Sequence, residues 1–238
     1  MVNYIFVSDY FSDQVIGGAE LTTEAFIEGK DNVQKVNSSE VNLDFIKLNL
    51  DKYWIFGNFS GVDLNLIPTI IHNLKYFIVE YDYKFCKYRS EHKHIELEGN
   101  CNCKNESIGK MISTFYHGAE KIFWMSDAQK ENYFKKFPFL KSNENFTISS
   151  AFSKNSLNKL KNLTCKSDGK YIILNSNSWI KNTNKSIQYA KENNLDYKLI
   201  SNLSYSDMLN EISNSKGLRF LPSGYDTGPR LVIVAKLA

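Results

Sequence analysis

The chain carries eight short, largely apolar runs separated by segments long enough to hold a helix: residues 4–7, 53–57, 76–80, 122–125, 146–149, 171–175, 197–200 and 218–221. Apolar residues at successive rather than alternate positions suit strands covered on both faces. Such strands belong to parallel sheets with helices packed above and below. The intervening segments show helical spacing. Leu21, Ala25 and Phe26 lie between Gly18 and Gly29, and Leu64, Ile67, Ile71 and Leu74 recur around a Pro68 expected to kink or break their helix. Ile108, Met111, Ile112 and Phe115 share a face behind a Ser107 cap, and Ser126 with Gln129 forms a capping box before a helix stopped at Pro138. Further helices are expected around residues 185–194 and after Ser204.

The predicted fold class is α/β, with two Rossmann-like domains. Residues 1–150 form the first. Residues 151–238 form the second, expected to be incomplete at its C-terminus because the strand series stops early. The polar, Lys/Asn/Ser-rich stretch from Ser150 to Asp168 is the expected connection between them.

A 42% hydrophobic content with 16 Phe and 14 Tyr in 238 residues supplies a real core. Net charge is +3 with both signs interspersed, which argues against a nucleic-acid partner. No run of about 18 apolar residues is present, so no transmembrane segment is expected. The first apolar run turns polar at Ser8-Asp9, too soon for a secretory segment. Together with Cys86, Cys101, Cys103 and Cys165, this favours free thiols in a cytoplasmic protein.

Residues 84–106 form a polar insertion without sustained periodicity. His92, His94, Cys101 and Cys103 within it are zinc-ligand types. Only one residue separates the members of each pair, whereas zinc ribbons usually place two or more between them. An ordinary surface loop with free thiols is the expectation, and no metal is expected.

Two loops carry the chemistry. Gly17-Gly18-Ala19-Glu20 follows the first strand, where paired glycines allow close backbone approach and a helix start offers free N–H groups. Near the other end, Leu221-Pro222-Ser223-Gly224-Tyr225-Asp226-Thr227-Gly228-Pro229-Arg230 joins a strand to a helix that runs toward Ala238, with Gly and Pro as helix-start signals. These stretches resemble those of GT-B glycosyltransferases, in particular family 4. There a Gly-Gly loop follows the first strand and an acid-x7-acid pattern spans the donor loop and its helix. Asp226 matches the first acid, and Val234 stands at the place of the second. Lys181, in the loop after the second domain's first strand, matches the family's phosphate-binding lysine, and Ser176 stands where an arginine commonly precedes it. Tyr81-Asp82 occupies the strand end that often carries a His-Asp pair.

The resemblance implies transfer of a hexose from a nucleotide-diphosphate sugar to the hydroxyl of a saccharide, lipid or protein acceptor, with retention and without a metal or other cofactor. It implies catalytic roles for Asp226 and Lys181, and donor or phosphate contacts from Gly17, Gly18, Lys181, Thr227, Gly228 and Arg230. Glu80 and Asp82 become acceptor-side candidates. Restoring an acid by Val234→Glu is expected to tighten nucleotide binding. A non-catalytic nucleotide-sugar or carbohydrate-binding protein is the alternative. A dinucleotide-binding Rossmann protein is disfavoured because neither first strand is followed by Gly-x-Gly-x-x-Gly.

Overall fold

The computed structural model describes residues 2–164 and 166–237, so Cys165 and Ala238 lie outside the described residues. The chain divides into two compact units, Met1–Ala151 and Phe152–Ala238. Both are mixed α/β, and the first, with its six-stranded parallel sheet, is Rossmann-like.

In the first unit, strands β1 (Tyr4–Ser8), β2 (Val33–Asn37), β3 (Tyr53–Phe56), β4 (Lys75–Glu80), β5 (Lys121–Trp124) and β6 (Glu144–Thr147) form one parallel sheet in the order β2-β1-β3-β4-β5-β6. Helices α1 (Gly18–Ile27), α2 (Leu43–Leu48), α3 (Ile67–Asn73), α4 (Glu91–Glu98), α5 (Ser107–His117) and α6 (Asp127–Lys136) flank it. Successive strand residues serve opposite faces. Ile5, Val7, Trp54, Phe56, Tyr76, Ile78, Ile122 and Trp124 pack with Ile46 of α2, Ile67 and Ile70 of α3, and Ile112 and Phe115 of α5. Phe6, Val79 and Ile55 pack with Ala19, Phe26 and Ile27 of α1. The first face is an aromatic lattice: Phe115 stacks on Tyr76 at 5.0 Å and meets Phe56 at 5.2 Å, and Trp124 lies 4.8 Å from Tyr133.

Several local expectations shift. Pro68 opens α3 from its first turn rather than breaking it, because proline's missing N–H costs nothing there. Ser107 is the first residue of α5, and Glu106 precedes it without a side-chain cap bond. The Ser126 cap forms, with Ser126 Oγ accepting from Gln129 N at 3.2 Å, but Gln129 Oε1 accepts from Met125 N at 2.8 Å, one residue before the cap, rather than closing the expected box at Ser126 N. The insertion at 84–106 is not a plain loop. It contains α4 and buries Cys86, His94 and Cys103.

The second unit holds α7 (Lys154–Lys161), β7 (Tyr171–Leu174), α8 (Thr183–Glu192), β8 (Tyr197–Ile200), α9 (Tyr205–Ser213), β9 (Gly217–Leu218) and α10 (Arg230–Leu237). Its parallel sheet runs β8-β7-β9 around a core of Leu160, Ile172, Ile200, Leu209, Ile212 and Val234. The expected 150–168 connection is largely part of this unit. Leu160 of α7 is buried, and Phe152 and Leu163 pack against the same core. Among the described residues, no helix is long and apolar enough to cross a membrane.

Candidate functional site

Each sheet places its first strand between its second and third: β2-β1-β3 in the first unit and β8-β7-β9 in the second. The connections leave such a strand in opposite directions, opening a crevice at the carboxyl ends of the first and third strands where ligands of open α/β sheets bind. Both crevices are lined by polar side chains.

In the first unit the crevice is organised by Asp9, directly after β1. Its Oδ1 accepts from Ser38 Oγ at 2.6 Å and from Gly61 N at 3.3 Å, and its Oδ2 accepts from Ser60 Oγ. Ser38 follows β2, and Ser60 and Gly61 follow β3, so three strand ends converge on one carboxylate. Gly61 is required by close approach: a Cβ there would lie 2.9 Å from Ser39 N. The Arg89 guanidinium bridges Asp9 to the end of β4, with Nη2 3.8 Å from Asp9 Oδ2 and Nη1 2.9 Å from Asp82 Oδ2. Arg89 holds a φ of 53°, a left-handed conformation that is uncommon for a long side chain and costs energy.

Behind this rim lies a buried ion cluster. Glu80 Oε1 accepts from Asp82 N at 2.8 Å and from Lys84 Nζ at 3.1 Å, and Lys84 Nζ is 3.4 Å from Asp82 Oδ1. Glu80 is fully buried. Burial, with the Asp82 charge adding to it against the pull of Lys84, pushes its carboxyl up to about 8. Burial also acts on Asp82, but Lys84 and then Arg89 outweigh it and hold that carboxyl below its ordinary value. Gln129 secures the strand end by donating Nε2 to the carbonyls of Glu80 and Asp82 at 3.1 and 2.7 Å.

Gly17 is the N-cap of α1 and makes no side-chain cap bond. Gly18 begins the helix. A Cβ at Gly17 would collide with the Glu20 carboxylate, whose pKa is raised by burial and by Asp9. The Gly-Gly turn and Asp9 therefore act on the same carboxylate.

In the second unit, Lys181 follows β7 and Asp226 follows β9. Lys181 Nζ donates to Asp226 Oδ2 at 2.8 Å, and Nζ also stands 5.3 Å over the Phe220 ring. The two loops are tied by Ser223 N donating to the Ile180 carbonyl at 3.0 Å. Thr183 Oγ1 donates to the Leu174 carbonyl at 2.8 Å and accepts from Ser176 N at 3.1 Å, fixing the loop that carries Lys181. Thr227 and Gly228 are half-buried on the approach to α10, where the Gly228 carbonyl accepts from Arg230 N at 2.7 Å.

Arg230 differs from its expected place in a phosphate pocket. It is 7% exposed, and its guanidinium lies 4.0 Å over the Phe152 ring. Val234 is fully buried in the unit's core, so no polar group reaches a ligand from that position.

No family model matches the chain, and no curated protein is significantly similar to it.

The sequence singled out Glu80 and Asp82, but not Asp9, Lys84 or Arg89. The available signal for Asp9 was its place directly after the first strand.

Proposed function

We propose that the chain is a GT-B-type glycosyltransferase resembling family 4, which moves a hexose from a nucleotide-diphosphate sugar to an acceptor hydroxyl with retention. The observation that supports this most is the Lys181–Asp226 contact at the strand-order reversal of the second sheet. Two loops chosen for a lysine that neutralises a diphosphate and an acid that binds sugar hydroxyls meet in one crevice.

In this reading, the second unit serves the donor. As the glycosidic bond breaks, charge builds on the departing diphosphate, and the Lys181 ammonium stabilises it. Asp226 accepts hydrogen bonds from sugar hydroxyls, with the Thr227–Gly228 backbone beside it. The first unit serves the acceptor. Asp82 and Asp9, bridged by Arg89, accept from its hydroxyls. The chemistry asks for no metal, because the lysine supplies the charge. The three described cysteines are free, in keeping with a cytoplasmic setting.

Turnover tests the reading. The purified chain, given nucleotide hexoses and a panel of saccharide and lipid acceptors, should release nucleoside diphosphate, and Lys181→Ala should suppress that release. Binding without release from any donor would favour the second reading, a non-catalytic nucleotide-sugar-binding protein. The burial of Val234 favours that second reading, since it leaves the expected ribose contact unmade.

A further inference from the structure

We propose that Cys86, His94, Cys101 and Cys103 form a closed tetrahedral zinc site that fastens the segment after β4 to the first unit. The four residues come from three separate pieces of chain: the turn after β4, helix α4, and the turn that leads into α5. Their ligand atoms all lie within 4.8 Å of one another, and Cys86, His94 and Cys103 are buried.

Three of the six spacings match a tetrahedron closely. With Zn–S near 2.3 Å and Zn–N near 2.0–2.1 Å, tetrahedral ligands stand about 3.8 Å apart for sulfur pairs and about 3.6 Å for sulfur and nitrogen. Cys86 Sγ and Cys101 Sγ are 3.8 Å apart. His94 Nδ1 lies 3.5 Å from Cys86 Sγ and 3.4 Å from Cys103 Sγ. Thiolate and imidazole ligands in this geometry select zinc among the common divalent ions.

The surroundings orient the imidazole. His94 Nε2 lies 3.0 Å from Glu98 Oε2, and the Glu98 carboxylate also accepts from Lys87 Nζ at 2.8 Å and from Tyr88 Oη at 2.6 Å. A carboxylate only accepts, so Nε2 carries the proton and Nδ1 turns its lone pair toward the three sulfurs. That is the usual outer-sphere partner of a metal-bound histidine. Gly109 of α5 adds a steric condition: a Cβ there would overlap the Cys103 carbonyl, so a glycine is what lets the Cys101–Cys103 turn lie against α5.

The sequence expectation was a loop without metal, and the four residues weighed for one there included His92 in place of Cys86. His92 is exposed, and Cys86, eight residues before His94, takes its place. Four protein ligands leave no open position, so the ion's role is structural. Arg89 lies between the Cys86 ligand and the helix carrying His94. The closure therefore also fixes the left-handed backbone of Arg89, whose guanidinium reaches Asp82 and Asp9.

The full chain, purified without an affinity tag that binds metal, should carry about one zinc per molecule by elemental analysis. Replacement with cobalt(II) should give tetrahedral d–d absorption with thiolate charge-transfer bands. Cys101→Ser should abolish stoichiometric binding, Glu98→Gln should weaken it by about 10–100-fold, and His92→Ala should leave it unchanged. Cys101 and Glu98 are partly exposed, so their variants remain informative if Cys103→Ser does not fold. A folded chain that takes up neither zinc nor cobalt while its thiols react freely would overturn the site. So would a Cys86–Cys101 disulfide that persists in place of metal, or metal binding undiminished in Cys101→Ser.

Discussion

Lys181 and Asp226 are 45 residues apart in sequence, yet Nζ and Oδ2 meet at 2.8 Å across the ends of adjacent strands. The pair is partly exposed, so it adds little to stability. Its position at the switch point of the sheet is the more telling property. Asp226→Ala should remove the extra affinity that the hexose gives the nucleotide donor, and Lys181→Ala should lower turnover by about 100-fold or more, the scale of one lost charge-stabilising group. Both variants should melt within a few degrees of the parent. Parent-like turnover in either would reduce the pair to a loop contact.

Glu80 gives the first unit a pH signature. Its folded pKa, about 8, stands above the ordinary 4.5 because of burial and then the Asp82 charge, so the neutral form favours the fold. That contribution is complete below pH 4.5 and is lost as the pH rises through about 8. Urea denaturation of the parent should therefore lose stability across this window relative to Glu80→Gln, which cannot ionise. Parallel pH profiles would mean that Glu80 is ionised in the folded chain.

Val234→Glu should unfold the second unit rather than improve a nucleotide site. The side chain is fully buried among Leu160, Ile172, Ile200, Leu209 and Ile212, a core of apolar side chains. A buried charge without a partner costs about 3–5 kcal/mol. Denaturant titration would register the loss, and a stable variant with tighter nucleotide affinity would show that α10 faces the ligand instead.

Gly61→Ala should cost about 1–3 kcal/mol, since the new methyl group meets the Ser39 backbone N and the Ser38 hydroxyl, which is itself bonded to Asp9. Because Gly61 N also donates to Asp9, the same variant should loosen the first crevice. An alanine variant as stable as the parent would imply that the loops after β2 and β3 are not closely packed.

The strands buried on both faces were legible because each needs consecutive apolar residues. Strand β2 was not, because Gln34, Lys35 and Asn37 break up its apolar residues and Val36 alone is buried. Without β2, the strand order and its switch point at Asp9 could not be read. Helix α4 escaped notice for a related reason: its Ile95 and Leu97 are exposed, and the residue it buries is His94, so no apolar stripe marks it. Cys86 lies among aromatic and basic residues, with no Cys or His within five positions to mark it as a ligand. Only the fold brings it to His94. Lys181 and Asp226 were legible because loops that end strands and start helices carry their own Gly and Pro signals.

Calorimetric titration of the purified chain with UDP, GDP and their hexose conjugates, repeated on Asp226→Ala, bears most directly on the proposed donor site. One nucleotide series should bind the parent, with the hexose conjugate tighter than the bare diphosphate, and Asp226→Ala should lose that difference. A folded parent that binds none of them, or an Asp226→Ala variant that binds them as the parent does, would contradict a donor pocket at the end of β9.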